Sequence, residues 1–326
     1  MPWWPPRQGL TAGKDTVFMN GTVVNINTGR NSLLELHDHT YRLSAVERRL
    51  LDGLDGCPWI AEDLDQDSVK AGEQMWSELS SAAGYAKPSR WFTDHTTNPK
   101  LGKAGLRTVG ITLHAARSAV VAWRNADAAF RSRIAGVLGC SVDDVELALD
   151  VSFCPKASPQ CVRACVTNHS YHASGVTVQR TRILRDAFMV IQPRLALALT
   201  TDQLVRTVKA SGGKENARWR VNISDDIRWE VLAPGLLDVA PKAYTYTKWL
   251  PSDRPEIPGL SIVYSATEKW TNDQIVRTCE AGHRVAVVFD VPKGKLPTSW
   301  NGVDVVDGDA TDDLYEHPAG VIVGLA

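Results

Sequence analysis

The spacing of apolar residues predicts helices in the first part of the chain. Residues 44–54 carry a Ser, a Glu three positions later and apolar residues at helical spacing, which together predict a capped helix. A second helix is predicted over 66–83, and a long helix rich in Ala and Arg is predicted over 114–137, ending before Gly139. Residues 21–27 predict one short strand.

The stretch from Val145 to Phe153 has two interpretations. Its apolar residues alternate with polar or small ones, and this period of two predicts a strand that leads directly into Cys154. A helix over 141–149 is the alternative, favoured by Asp143 and Asp144, because carboxylates stabilise the start of a helix. We take the strand as the prediction.

Strands and helices alternate from residue 218 to the end. After helices over 177–192 and 201–211, the predicted strands cover 218–224, 243–248, 260–265, 284–290, 303–306 and 320–325, with helices over 225–233 and 272–281. This order is typical of βαβ units in a mainly parallel sheet. With 145–153 there are about seven strands, which favours an α/β protein built as a complete or partial (β/α) barrel.

A change of pattern near residue 90 divides the chain into two predicted regions. Residues 84–105 contain Pro and Gly residues without a clear period, which predicts a loop. Residues 1–90 are therefore predicted to form a mainly helical N-terminal extension with an arm, a short strand and helices. Residues 91–326 are predicted to form the barrel domain.

Composition and charge limit the classes of partner. The net charge is −1, so binding to nucleic acid is not indicated. No apolar run reaches the roughly 18–20 residues needed to cross a bilayer, and the start of the chain lacks the pattern of a secretory signal. We therefore predict a cytoplasmic protein that does not interact with a membrane.

Three of the six cysteines fall within twelve residues, at Cys154, Cys161 and Cys165. In a reducing compartment, thiols at this C-x6-C-x3-C spacing are more often ligands of an inorganic centre than a disulfide framework. Zinc prefers four ligands, most often with cysteine pairs two to four residues apart. An iron–sulfur cluster, [4Fe-4S] or [3Fe-4S], is therefore the preferred interpretation, and zinc is the alternative.

The fourth position of such a centre is open to several interpretations. His169 follows Cys165 by four residues and would complete a Cys3His set on a helix. Cys140, Cys279 and a small molecule are the other candidates, and an empty fourth position is also compatible with a cluster.

Polar residues follow the predicted strands of the second region. In parallel barrels, the loops after the strands build the site at one face. We therefore predict that this face holds the cysteines and a pocket lined by Asn222, Ser224, Asp225, Asp226, Tyr246, Lys248 and Asp290. For each residue taken alone, turn formation or an exposed strand surface is the alternative interpretation.

Five motifs lie between residue 95 and the C-terminal end. They are Asn98-Pro-Lys-Leu, Cys154-Pro-x5-Cys-x3-Cys, Val221-Asn-Ile-Ser-Asp-Asp, Tyr244-x-Tyr-Thr-Lys and Val306-Asp-Gly-Asp. Together they resemble an uncharacterised bacteriophage family of cysteine-rich proteins, of the mycobacteriophage type. The resemblance implies an aldolase-type, TIM or radical-SAM-like barrel in the host cytoplasm, with an iron–sulfur cluster bound by Cys154, Cys161 and Cys165.

The cysteine spacing departs from the C-x3-C-x2-C loop of radical-SAM enzymes, so S-adenosylmethionine is not expected as a cofactor. We predict a cluster-binding phage protein with a redox or radical-SAM-like role, and leave open whether it is an enzyme and which small molecule it uses. The alternative is a non-catalytic phage factor in which zinc or a cluster stabilises a loop. Such a factor would bind a phage or host protein or an RNA, and the near-neutral charge speaks against RNA.

Overall fold

The chain folds as a mixed α/β protein. The computed structural model describes residues 16–19, 22–26, 33–36, 39–94, 101, 106–165, 175–311 and 313–326. Within these residues there are 13 strands and 11 α-helices. No helix among them is long and apolar enough to cross a membrane.

The elements have the following bounds. The strands are β1 (Thr16–Met19), β2 (Thr22–Ile26), β3 (Leu33–Leu36), β4 (His39–Arg42), β5 (Thr93–Asp94), β6 (Arg107–Gly110), β7 (Ala217–Arg220), β8 (Lys242–Thr247), β9 (Leu260–Ser265), β10 (Arg284–Val288), β11 (Ser299–Trp300), β12 (Val303–Asp307) and β13 (Ile322–Leu325). The helices are α1 (Ala45–Asp52), α2 (Gln66–Ala82), α3 (Ser118–Asn125), α4 (Ala128–Leu138), α5 (Val142–Leu149), α6 (Pro159–Arg163), α7 (Val176–Ile191), α8 (Pro193–Ala210), α9 (Trp229–Leu232), α10 (Gly235–Val239) and α11 (Asn272–Glu280).

Nine strands form one sheet in the order β11-β12-β13-β10-β9-β8-β7-β6-β5. The seven strands from β12 to β6 pair in parallel, and the short strands β11 and β5 add an antiparallel edge at each end. The predicted parallel sheet is confirmed. Strands β6 to β10 are neighbours in chain order, as in the wall of a (β/α) barrel. In the described chain no pairing joins β5 to β11, so the sheet is open there.

The N-terminal region contains more sheet than the sequence predicted. Strands β1 to β4 form a separate antiparallel sheet in chain order, where only one strand was predicted. In this sheet Met19 pairs with Thr22, and the sequence between them is Asn-Gly, the dipeptide that two-residue hairpin turns favour. The prediction of a mainly helical extension was therefore wrong for this part, whereas the helices over 44–54 and 66–83 are confirmed as α1 and α2.

The predicted strand over 145–153 was wrong, because residues 142–149 form the helix α5. Ser141 caps this helix: its hydroxyl accepts a hydrogen bond from the Asp144 N–H at 3.1 Å, and its own N–H donates to the Asp144 carboxylate at 2.9 Å. This reciprocal pair fixes the first turn, and it outweighs the alternating pattern. The first parallel strand is β6 instead, in a stretch that the sequence left without a strand.

The long helix predicted over 114–137 is two helices, α3 and α4. Asp127 separates them, because its carboxylate accepts from the Phe130 N–H at 2.7 Å and so starts a new helix. Pro193 is the first residue of α8, which begins eight residues earlier than the helix predicted over 201–211. Proline is tolerated at a helix start, where its missing N–H has no helical partner.

One large hydrophobic core runs from the N-terminal helices to the sheet. It contains Val46 of α1, Trp76 of α2, Trp219 of β7 and Tyr264 of β9, all nearly or fully buried. Trp76 also packs edge-on against Trp91, with ring centroids 4.9 Å apart. The core thus includes residues on both sides of position 90, and the domain boundary there stays a prediction.

Candidate functional site

The carboxyl ends of β6, β7 and β8 bring buried polar residues to one edge of the sheet. The chain reaches His114 shortly after β6 and Asp225 and Asp226 after β7, and β8 ends at Thr247. All four are buried. Neighbouring parallel strands end at the same edge, which is where α/β proteins place their sites. This edge is the candidate functional site.

Asp226 is the most firmly held member of the site. Its carboxylate accepts hydrogen bonds from the Thr247 hydroxyl at 2.7 Å, the Lys248 N–H at 2.8 Å and the Arg254 guanidinium at 3.1 Å. Arg254 also binds both carboxylate oxygens of Glu230, at 2.7 and 2.8 Å. Burial raises the pKa of Asp226, and the charge of Arg254 offsets this only in part.

Asp225 lies next to this network and takes no part in it. It is 7% exposed, and in the described structure neither carboxylate oxygen has a hydrogen-bond partner. Burial and the Asp226 charge raise its pKa well above the usual value. The N–H groups of Asp225 and Ile227 are near enough to lower that pKa, but they do not reach hydrogen-bond geometry. Such a carboxyl group favours its neutral form.

Backbone hydrogen bonds hold Cys154 at this edge. The preceding residue, Phe153, donates its N–H to the Ala116 carbonyl at 2.9 Å and accepts from the Asp226 N–H at 2.8 Å. The segment therefore lies between the loops that follow β6 and β7. The Cys154 thiol donates to the Ser224 carbonyl, with 3.4 Å between sulfur and oxygen.

The surroundings of Cys154 favour the protonated thiol. Burial is the main cause that raises its pKa well above the usual value, and the carboxylates of Asp226 and Asp225 add to it. The Lys248 ammonium acts in the opposite direction. A thiol in such a setting is a poor nucleophile until a cation or a metal compensates the charge of the thiolate.

Cys161 lies in the short helix α6, and Cys165 follows two residues after the helix ends. Ser158 caps α6 by accepting from the Cys161 N–H at 3.1 Å, and its hydroxyl donates to the Glu268 carboxylate. The second oxygen of Glu268 accepts from the Gln160 N–H at 3.2 Å. Glu268, in the loop after β9, therefore fixes the helix start that carries Cys161.

Cys161 shares its electrostatic neighbours with Cys154. Burial raises the pKa of Cys161, Lys248 lowers it, and Cys165 and Asp226 raise it further. Asp226 and Lys248 thus act on both thiols, and Cys165 acts on the thiol of Cys161. Cys154, Cys161 and Cys165 are each half-buried.

A buried pair of His114 and Asp186 completes the site, and the sequence analysis did not predict it. The His114 N–H donates to Asp186 Oδ1 at 3.1 Å, and its Nδ1 contacts the other oxygen of the same carboxylate. Nε2 of His114 lies 2.9 Å from Gln179 Oε1. The signal in the sequence was the apolar run before His114, which was not recognised as the continuation of a strand.

Arg182 was also missed, although it lies one turn before Asp186 on α7. It is 3% exposed, and within the described structure its Nε and Nη1 atoms have no acceptor. Burial lowers the pKa of Arg182, and the charges of Asp186 and Cys165 raise it. The available signal was a charged residue on the apolar face of a helix.

A family model with the description Gene product 88 matches residues 111–326 of the chain. The chain belongs to the Gene product 88 family. This is a family of phage proteins, as the sequence motifs predicted. No curated protein and no solved structure matches the chain. The matched region includes Cys154, Cys161 and Cys165. Helices α1 and α2 and strand β6 lie before this region.

The Gene product 88 region places the other predicted pocket residues in different surroundings. Asn222 donates from Nδ2 to the Ile227 carbonyl at 3.0 Å, and the Ser224 hydroxyl donates to the Leu113 carbonyl. Both side chains therefore stabilise the backbone of the loops at this edge. Lys248 contacts Asp226 through its backbone.

Tyr246 and Asp290 lie away from Asp226. Tyr246 lies on the face of β8 opposite to Thr247 and packs on a second apolar cluster that contains Tyr244. Asp290 is exposed and follows β10, three strands from β7. His169, the predicted fourth ligand, lies outside the described residues.

The metal ligands predicted at Cys154, Cys161 and Cys165 remain a prediction. Within the described ranges, no three His, Cys, Asp or Glu side chains are placed to hold one metal ion.

Proposed function

We propose that this Gene product 88 protein binds an iron–sulfur cluster, [4Fe-4S] or [3Fe-4S], through Cys154, Cys161 and Cys165, and uses it as a redox centre in the host cytoplasm. The supporting observation is the common electrostatic neighbourhood of the cysteines at the carboxyl edge of the sheet. Asp226 and Lys248 act on the pKa values of both Cys154 and Cys161, and Cys165 acts on that of Cys161.

The chemistry of the donors supports the same proposal. Three thiols, two of them near the Lys248 ammonium group, form a soft, sulfur-rich set of the kind that selects iron–sulfur clusters. The raised pKa values of Cys154 and Cys161 mean that cluster assembly must displace protons from both thiols. Assembly should therefore be more complete at pH 8 than at pH 6.

The protein's own residues have positioning roles in this proposal. A bound cluster would supply one-electron redox chemistry. Ser158 and Glu268 hold the start of α6, and with it Cys161, in a fixed place. The Lys248 ammonium partly compensates the negative charge of the thiolates. The neighbouring order of β6 to β10 is compatible with the partial barrel predicted from the sequence.

Anaerobic purification tests the proposal directly. We expect brown protein with broad absorption near 400 nm and with iron and acid-labile sulfide in stoichiometric amounts; EPR then separates the three-iron from the four-iron form. A colourless protein would contradict the proposal. Stoichiometric zinc in that protein would favour the alternative of a structural metal in a non-catalytic phage factor.

Matched cysteine variants locate the ligands. We expect Cys154→Ser, Cys161→Ser and Cys165→Ser each to lose most of the iron, and Cys57→Ser, which changes an exposed thiol far along the chain, to retain it. With S-adenosylmethionine and a reductant, no 5′-deoxyadenosine should form, because the C-x6-C-x3-C spacing differs from that of radical-SAM enzymes. Retention of iron in all three variants would exclude these cysteines as ligands.

A further inference from the structure

Two buried charged residues at the sheet edge have no partner in the described structure. Arg182 on α7 is 3% exposed, with Nε and Nη1 unpaired, and Asp225 after β7 is 7% exposed, with both carboxylate oxygens unpaired. Burying a polar group without a hydrogen bond costs free energy, and native proteins rarely leave one unpaired without a functional reason. Each residue therefore points to a group that the protein itself does not supply.

Both residues lie near Asp186, the partner of His114. Arg182 is one helical turn before Asp186, and Asp186 binds the backbone and ring of His114 in the loop after β6. Asp225 follows β7, the parallel neighbour of β6. The charge of Asp186 raises the pKa values of both Arg182 and Asp225.

The charges around this site define the ligand. Asp226 is bound to Arg254 and Asp186 to His114, and neither carboxylate accepts a hydrogen bond from Arg182 Nε or Nη1 in the described structure. Asp186 is the carboxylate that acts on the pKa of Arg182, and the nearby Arg185 is held by the carbonyls of Arg90 and Thr112. One unpaired guanidinium beside one carboxylate suits a monoanion better than a doubly charged phosphate. A carboxylate matches the planar donor geometry of a guanidinium. A hydroxyl group can pair with Asp225 in either protonation state, because it both donates and accepts.

We propose that Arg182 and Asp225 together bind a small monoanionic hydroxycarboxylate, whose carboxylate pairs with Arg182 and whose hydroxyl pairs with Asp225. The site uses none of the three cysteines as ligand contacts, so the proposal goes beyond the cluster function and does not depend on it. A neighbouring cluster would make the bound molecule a candidate for the redox substrate.

Isothermal titration of the full-length protein with 2-, 3- and 4-hydroxybutyrate tests the proposal, with butyrate and 4-hydroxybutyramide as matched probes. The three isomers vary the spacing between carboxylate and hydroxyl. We expect one isomer to bind at least about tenfold more tightly than butyrate, since a hydrogen bond to a buried charged group supplies this much discrimination. The amide, which lacks the negative charge, should bind at least about thirtyfold more weakly than that isomer.

Two arginine variants on α7 distinguish loss of the binding site from a general effect of removing a positive charge. Arg182→Met should weaken binding at least about thirtyfold, whereas Arg180→Met, which changes a partly exposed arginine paired with Asp127, should leave it unchanged. Asp225→Asn should reduce the preference for the hydroxyl group and leave butyrate binding intact. Ligand-free Arg182→Met should melt no lower than the unsubstituted protein, because it removes an unpaired buried charge.

Several results would overturn the proposal. They are the absence of binding by all three isomers, equal binding by Arg182→Met, and Arg182-dependent binding of inorganic phosphate in place of the hydroxybutyrates. If Arg182→Met does not fold, Arg182→Lys replaces it in the binding test, since lysine keeps the positive charge but lacks the planar donor geometry of a guanidinium. Iron is measured on the same samples, so loss of the cluster and loss of hydroxycarboxylate binding are distinguished.

Discussion

Arg254 donates from Nη1 to Oδ1 of Asp226 at 3.1 Å in the interior of the protein, where the Arg254 side chain is fully buried. The same guanidinium binds Glu230 through two further hydrogen bonds. A single cation thus compensates two buried carboxylates, one of which is the anchor of the sheet edge. The position of Asp226 relative to Cys154 depends on this pair.

Arg254→Met should be strongly destabilising. It leaves Asp226 and Glu230 buried without their cation, and breaking a buried pair in this way costs about 3–5 kcal/mol. We expect the free energy of unfolding in urea to fall by that amount. Arg277→Met is the matched control, because Arg277 and Asp273 form an exposed pair at 3.9 Å; its effect should stay within about 0.5 kcal/mol. Equal effects of the two variants would contradict a structural role for Arg254.

The N-terminal region contributes a buried carboxylate to the Gene product 88 region. Glu47 of α1 binds Arg228 through both oxygens, at 2.8 and 2.9 Å, and both side chains are almost completely buried. Glu47→Gln should therefore lower the free energy of unfolding at pH 7 by about 2–4 kcal/mol. Glu280→Gln, at an exposed position, should change it by less than about 0.5 kcal/mol.

The same pair predicts a pH dependence. Burial alone would raise the pKa of Glu47, but the hydrogen bonds and charge of Arg228 outweigh it and hold that pKa below its usual value of 4.5. A carboxylate with a lowered pKa stabilises the folded state above its unfolded pKa, and this stabilisation is lost as pH falls through the folded pKa. The stability difference between the unsubstituted protein and Glu47→Gln should thus be constant near pH 7 and shrink below about pH 4.5. A difference that grows on acidification would contradict this assignment.

Local signals predicted much of the sheet, but long-range contacts decided the rest. Strands β8, β9 and β10 are rich in β-branched and aromatic residues and were recognised correctly. β6 was missed because it is short and ends at Gly110, where a side chain would collide with the Arg220 carbonyl, 2.4 Å from the Cβ position. The glycine that lowers the strand propensity of the segment is therefore required by its neighbour strand.

The site could be predicted only where its residues follow a recognisable strand. Asp225 and Asp226 follow the end of β7 by five and six residues and were found by that rule. Arg182 and Asp186 reach the same edge from α7, where the local signal was only a charged residue on the apolar face of a helix. Tyr246 was placed in the pocket because it alternates with Lys248, but the alternation in fact directs it to the opposite face of the sheet from Thr247.

Cys154 should react slowly when no cluster is bound. Burial and the neighbouring carboxylates hold the pKa of Cys154 well above its usual value of 9.0, so little thiolate is present at pH 8. In iron-free protein we expect its alkylation by iodoacetamide to be at least about tenfold slower than that of the exposed Cys57, measured by mass spectrometry of the two peptides. Unfolding in urea should remove the difference. Equal rates in the folded protein would contradict the burial of this thiol.

Glu268→Ala should weaken retention of the cluster without abolishing folding. Glu268 accepts from the Gln160 N–H at 3.2 Å and from the Ser158 hydroxyl, and Ser158 in turn caps the helix of Cys161. The Glu268 carboxylate is itself stabilised there, because the Ser158 hydrogen bond lowers its pKa. Removal of the two carboxylate oxygens of Glu268 should loosen α6 and speed the loss of iron to a chelator. This loss is measured as the decay of absorbance near 400 nm.

The control for this effect is Glu280→Ala, which removes an exposed glutamate from α11. It should lose iron at the rate of the unsubstituted protein. Glu268→Gln retains one acceptor oxygen for Gln160, and its rate should fall between those of the other two variants. Glu268 hydrogen-bonds Ser158 and Gln160, and its charge raises the pKa of Cys161. A faster loss of iron in Glu268→Ala, with an unchanged melting temperature of the iron-free protein, would identify Glu268 as a positioning residue. An unchanged rate in Glu268→Ala would mean that the start of α6 does not control how Cys161 is held.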